Sequence, residues 1–208
     1  MDASAARERF GTLAAQEDDR IDLLEGAFLI AQEEYPDLVL GEQIERVESI
    51  ARRCGDHLAG AEDFFNAVWV FNRILFDELG LRGNVEAFDD PENSYLNRVL
   101  DRRSGIPITL SVLYREVARR CGFHVEGIGL PGHFVVRVTD EWGDTYVDPF
   151  HGGRVVTRED LERLLHERFG PRARLLDEHL EPVPPRRILA RVLLNLKRIY
   201  VRQQDYER

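Results

Sequence analysis

Cysteine is scarce in this sequence. Only Cys54 and Cys121 occur in 208 residues, and nothing pairs them in a close-spaced metal or redox motif. Composition therefore points to reduced thiols and a cytoplasmic location. No apolar run approaches the ~18 to 20 residues of a membrane span. The opening stretch, MDASAARERFG, has no apolar h-region, so no secretory signal is expected. Basic charge is also in short supply: 28 Lys and Arg stand against 38 Asp and Glu, a formal net charge of −10. That balance argues against a nucleic-acid-binding face and against docking on anionic membranes. What is present is a 43% apolar, 32% charged composition. It suffices for a buried core and is not polar enough for disorder. At ~150 residues per domain, the length allows one or two domains.

Residues 1 to about 80 carry helical periodicity. Between Asp19 and Tyr35, Leu23, Ala27 and Ile30 form one stripe with Leu24, Phe28 and Ala31 beside it, and Pro36 closes the segment. A second helix is expected from about Gly41 to Ala59. A third, from about Ala61 to Leu79, is apolar on most sides and is expected to be buried among neighbours. No catalytic constellation is visible here. His57 reads as a surface residue and Cys54 as a core or boundary residue.

The middle of the chain differs. Residues 84–95, NVEAFDDPENSY, are loop-like. A short helix follows, from Tyr95 to Arg103. Gly105 then breaks the chain, and Pro107 suits the first turn of the next helix. There Leu110, Leu113, Tyr114, Val117 and Cys121 recur as a core-facing stripe, and Gly122 suits the helix end. Past Gly122 the period changes toward strands. HVEGIGL alternates loosely; HFVVRVT (133–139) and TYVDPF (145–150), joined by DEWGD, read as an antiparallel hairpin. Residues 157–169 read as a helix with a weak capping pattern at Thr157 and Asp160. An irregular, proline-rich stretch leads to a last helix from about Pro185 to the end. The pattern gives an α+β fold: a helical N-terminal domain (1–83), a core of one central helix packed on a small antiparallel sheet (84–170), and a linker with C-terminal helix (171–208).

Chemistry concentrates in the middle block. His133 at the start of one strand and Asp148 at the end of the next are expected side by side across the hairpin. A carboxylate beside an imidazole orients it and raises its basicity, which supplies two members of a nucleophilic triad. The third would be a thiol or hydroxyl at a helix N-terminus, and the helix starting near Pro107 is the natural supplier. Asp148 and His151 lie three apart, and with His133 they form a conceivable His/Asp/His zinc set. Asn93 reads as a pocket wall or as a cap for the following helix.

This order of elements resembles the transglutaminase-like, papain-related core. More narrowly, the stretch NSYLNRVLDRRSGIPITLSVLYREVARRCG, then GIGLPGHFVVRV and YVDPFHGG, resembles the bacterial SirB-type family. The resemblance implies that His133 and Asp148 match the family histidine and aspartate. It implies a helical domain before the core and tetratricopeptide repeats after it, with residues 195–208 looking like the opening of a repeat. Counting back from Gly122 to the position of the cysteine in active transglutaminase-like proteins lands on Pro107, and no cysteine lies nearby. Cys121 is roughly 21 Å along the helix from that point. Thr109 and Ser111 are the nearest hydroxyls. Thr109 is rotated ~200° from the expected position, while Ser111 returns near the same face one turn deeper.

Three functions follow. The preferred one is a thiol-less, non-catalytic binding or regulatory module that takes a protein or peptide partner and needs no cofactor or metal, with Asn93, Pro107 and His151 as tentative pocket residues. The second is an acyl-transferring or amide-hydrolysing enzyme that uses Ser111 or Thr109 as nucleophile, His133 as base and Asp148 as orienter. The third is a metal-dependent hydrolase built on His133, Asp148 and His151. Alternatively, His133 and Asp148 serve only to stabilise the hairpin.

Overall fold

Strong N-terminal apolar patterning folds into packed helices. The computed structural model describes residues 3–140 and 143–205. Helix α1 (Ala3–Ala14) lies along α2 (Leu23–Glu34), and Arg9 of α1 pairs with Glu25 of α2 at 2.7 Å. Asp22 caps α2 by accepting the Glu25 N–H at 2.9 Å. Almost every α2 side chain is buried, which follows from a helix with apolar residues on all sides. Helix α3 (Leu40–Leu58) buries Val47, Ala51 and Cys54 and turns its charged face outward.

Helix α4 (Phe64–Asn72) departs from the expected buried rod. It continues as a π-helical turn over Arg73–Glu78, and it buries only the stripe Val68, Phe71, Ile74 and Leu75. Phe65 and Trp69 face solvent, 66% and 61% exposed. Their side of the helix lines a shallow open cleft with Gly152 and Val155 and is not packed over, so apolar composition alone overstated its burial.

The short strand β1 (Arg82–Gly83) pairs in parallel with β2 (Ser104–Gly105). Between them lie the loop 84–90, a 3-10 turn Pro91–Ser94, and α5 (Leu96–Arg102). Gly83 is required by packing: a Cβ there would meet the Phe150 carbonyl oxygen at 2.5 Å and the Phe150 ring at 2.7 Å. Helix α6 (Pro107–Arg120) is the buried centre of the molecule. Pro107 opens it without loss of a hydrogen bond, and nearly all of its side chains but the outward arginines are buried.

Strands β3 (His124–Ile128), β4 (Val135–Asp140), β5 (Gly143–Asp148) and β6 (Arg154–Val156) form one antiparallel sheet in that order. Val125, Val136, Val138 and Val147 point into the main core with α6. Ile128, Val135 and Val156 point to the other face, where they meet Leu161 and Leu165 of α7 (Arg158–Phe169) in a second, smaller core. Period-2 alternation places these two sets on opposite faces. Thr157 and Asp160 form the expected reciprocal cap of α7.

Residues 171–184 run back past the sheet, where the Val183 N–H donates to the Gly127 carbonyl at 2.8 Å. Helix α8 (Pro185–Gln203) follows and lies on α2. Its end is fixed by a hydrogen bond of 2.8 Å between the hydroxyls of Tyr200 and Tyr95. The fold is α+β, as the pattern implied. Glu141 and Trp142 of the expected DEWGD turn, and the last residues of the expected C-terminal helix, lie outside the described residues.

Candidate functional site

His133 sits differently from the expectation. It precedes the strand: β4 begins at Val135, and the ladder sets Val136 opposite Val147. The turn before it is sharp. Gly132 has φ +69°, and a Cβ at this position would collide with the side chain of Arg168. Arg191 of α8 holds the turn from below. Its Nη2 donates to the carbonyls of Leu130 (3.0 Å) and His133 (2.8 Å). From this perch the imidazole reaches Asp148, at the end of β5, although the two residues do not pair in the ladder.

Asp148 is 1% exposed and fully engaged. Its Oδ2 accepts from His133 Nε2 at 2.7 Å and from His151 Nδ1 at 2.8 Å. Its Oδ1 accepts the backbone N–H groups of Phe150 (3.0 Å) and His151 (3.3 Å). Burial pushes this carboxyl up, but the hydrogen bonds from the two histidines outweigh it and hold it well below the usual carboxylate range. His151 is pushed up by its hydrogen bond to Asp148, against an opposing effect of burial. With Nε2 engaged by Asp148, the remaining ring nitrogen of His133 is Nδ1, and no protein group among the described residues hydrogen-bonds it. The side chain is 13% exposed, which leaves it open to a ligand.

Both hydroxyls are occupied elsewhere. Thr109 Oγ1 donates to the Asn93 carbonyl at 2.7 Å and accepts the Ile106 N–H at 3.2 Å. Ser111 Oγ donates to the Phe134 carbonyl at 3.3 Å. Both are buried, and neither hydrogen-bonds His133. Pro107, at the start of α6, and the imidazole line the same open space. The two line a cavity of about 410 Å³ and an adjoining one of about 200 Å³, together with Phe88 and Arg168. Leu130, Phe150 and Leu164 make the larger cavity apolar.

The ligand atoms of His133, Asp148 and His151 lie within 4.8 Å of one another. Ligands ~2.1 Å from a tetrahedral ion sit about 3.4 Å apart. The observed spacings of 2.7 and 2.8 Å are those of hydrogen bonds.

Asn93 is not among the residues lining the two cavities beside His133, and its side chain bonds a loop rather than a helix start. It is buried, donates through Nδ2 to the carbonyls of Ala87 (2.7 Å) and Phe88 (3.3 Å), and accepts from Asn84 (2.9 Å). It thereby fixes the loop that carries Phe88. The other histidines lie away from this site. His166 donates to the Ala173 carbonyl at 2.9 Å, and His179 accepts the Leu176 N–H at 3.2 Å. His124 is exposed. Cys54 and Cys121 meet each other far from this site, at the other end of α6, where contact with Cys121 and burial hold the Cys54 thiol protonated. Sequence reasoning passed over Phe88, Arg168 and Arg191. Arg191, Asn195 and Arg198 recur at i, i+4 and i+7 on α8, and that spacing was the available signal.

A family model described as the transglutaminase-like superfamily matches residues 42–194. The chain belongs to the transglutaminase-like superfamily. A UPF0162 protein of Xylella fastidiosa is 38% identical over 202 residues, which cover 96% of this chain and 72% of that protein. A UPF0162 protein of Vibrio cholerae is 28% identical over 197 residues, 93% of this chain and 72% of that protein. A mouse F-box only protein 21 is 35% identical over 102 residues, 45% of this chain and 16% of the mouse protein. No solved structure matches the chain. The superfamily match spans α6, the whole four-stranded sheet, and every residue of the His133–Asp148–His151 cluster. Among the described residues, no helix is long and apolar enough to cross a membrane.

Proposed function

We propose that this chain is a SirB-type member of the superfamily that has lost its nucleophile and uses the groove beside His133 to bind a peptide or protein segment. One observation carries the reading: a proline lines the space beside an oriented imidazole, where acyl transfer needs a thiol or hydroxyl. The commitment of Thr109 and Ser111 to backbone carbonyls supports it. The cavity is concave and apolar with a few converging polar groups, the usual form of a binding site. The net charge of −10 weighs against a nucleic-acid ligand, and free thiols support a cytoplasmic setting. The SirB-type assignment brings with it a tetratricopeptide region that begins near residue 195. The exposed Leu194 and Val201 on α8 support a further helix packing there.

The test is direct. The purified protein is incubated with a glutamine-containing protein and a fluorescent primary amine, and separately with chromogenic amides. No turnover is expected. Turnover that Ser111→Ala or Thr109→Ala removes would overturn the reading in favour of the enzyme. A displayed peptide library should yield binders that wild type retains and Phe150→Ala loses.

A further inference from the structure

The smaller cavity has an electrostatic character unlike the rest of the molecule. Arg168, Arg191 and Arg198 line it together with His133, and no carboxylate does. In a chain of net charge −10, three guanidiniums on one lining, of which Arg198 alone comes within reach of a carboxylate, are a local inversion of sign. Several arginines elsewhere are neutralised: Arg102 by Asp90 at 2.7 Å, Arg98 by Glu92 at 3.0 Å, Arg137 by Glu126 at 2.6 Å. Among the described residues, Arg191 meets carbonyls and the face of Phe134, whose centroid lies 5.3 Å away, and no carboxylate. Arg168 leans on Gly132 and forms no ion pair among the described residues. Arg198 stands 4.0 Å from Asp89, which is engaged by Arg202 at 2.8 Å. Arg191 is partly buried, whereas Arg168 and Arg198 are exposed at the mouth; a partly buried guanidinium without a counter-charge is costly, and an anion would relieve that cost at Arg191. Gly132 makes the approach of Arg168 possible, since any side chain there would expel it.

We infer that this lobe binds an oxyanion, a carboxylate or phosphate, carried by a ligand whose apolar part lies in the larger cavity. The inference rests on the groove being a binding site and specifies what the groove takes. Pro107 and His133 line both cavities, so the ligand crosses the place where the lost chemistry would have occurred. Guanidinium forks suit planar oxyanions, which they hold by paired charge-assisted hydrogen bonds. A peptide with an apolar residue next to an acidic group or a chain-end carboxylate has this form.

The test uses the full chain and three probes: N-acetyl-L-phenylalanine, its carboxamide, and inorganic phosphate. The readout is the shift of the arginine Nε–H signals and the Gly132 amide signal in nitrogen-15 NMR spectra. The acid is expected to shift Arg168 and Arg191 saturably and to bind roughly tenfold or more tightly than the carboxamide. Arg168→Glu, an exposed change that spares the buried bonds of Arg191, should remove most of that preference. Phosphate that shifts the arginines and leaves Phe150 and Leu164 unmoved would assign the site to free phosphate, within the same oxyanion chemistry. Equal binding of acid and carboxamide would overturn the oxyanion inference and leave the groove as a binding site. Arginine signals that respond to neither acid nor phosphate would also overturn it, while the peptide-library experiment judges the groove separately.

Discussion

The Asp148 carboxylate carries four hydrogen bonds from a position almost without solvent. Asp148→Ala would strand two imidazole donors and two backbone N–H groups, so a loss of about 3 to 5 kcal/mol is expected, read from the urea midpoint. The pH dependence has two limbs. The folded Asp148 titrates below its unfolded value of ~3.9, so its contribution is complete above about pH 4 and fades as pH falls through the folded value. The folded His151 titrates above ~6.5, so its contribution is complete below about pH 6.5 and fades as pH rises through the folded value. The Tm difference between wild type and His151→Ala should thus be widest near pH 5 to 6 and shrink above pH 7. A flat difference over that range would refute the assignment. The hairpin pattern pointed to His133 and Asp148 as neighbours, and the resemblance to the transglutaminase-like core pointed to Pro107. Neither showed His151 as a second donor to one carboxylate, since a loop residue has no direction until the 3-10 turn at 149–151 gives it one. Pro107 also offers a gain-of-function test. A Pro107→Cys thiol should react with iodoacetamide roughly tenfold faster than Cys121 at neutral pH, and His133→Ala should abolish the advantage.

Between residues and fold, the loop 84–90 is the element that gives the groove its wall. Its own hydrogen bonds are few, and Asn93 supplies the anchors: two carbonyls bonded by Nδ2, and a backbone oxygen that receives Thr109. Asn93→Ala should cost about 1 to 3 kcal/mol. The distinguishing readout is faster hydrogen exchange over residues 84–90 with α6 still protected. Unchanged exchange in the loop would mean that Phe88 is held by packing on Phe150 alone, ring centroids 6.0 Å apart. Periodicity found helices α2, α3, α6, α7 and α8 because each presents one apolar stripe at helical spacing. It left α1 without bounds and could not separate the π-helical turn at Arg73–Glu78 from the helix before it, since apolar side chains at adjacent positions suit either winding. Strands β1 and β6 are too short to carry a pattern. His133 was assigned to a strand because HFVVRVT reads as one run; Gly132 and the Arg191 bonds hold it off the ladder.

Taken whole, the molecule joins parts that sequence reading divided. Leu29 and Phe71 from residues 1–83, Leu113 and Val136 from 84–170, and Leu189 and Leu196 from 171–208 belong to one contiguous apolar cluster. The composition shift near residue 84 coincides with the change from helix to mixed structure, and the faces on both sides of it bury each other. Helix α8 makes the same point from the far end, since Arg191 braces the His133 turn while Leu189 packs against α2. A shared core of this kind unfolds as a unit. Urea titrations followed by far-ultraviolet circular dichroism, by tryptophan fluorescence and by exchange protection in α2 and α6 should give one midpoint. Two separated transitions, with α1 to α3 persisting after the sheet has melted, would restore an independent N-terminal domain. If the midpoints coincide, Gly26→Val should lower all of them together, because a Cβ at Gly26 would lie 2.6 Å from Leu189 Cδ1 and would press α8 away from α2. Displacing α8 also moves Arg191, so the same variant should loosen the His133 turn at a distance, seen as faster exchange of the His133 amide. An unchanged turn would show that its geometry is set within the sheet alone.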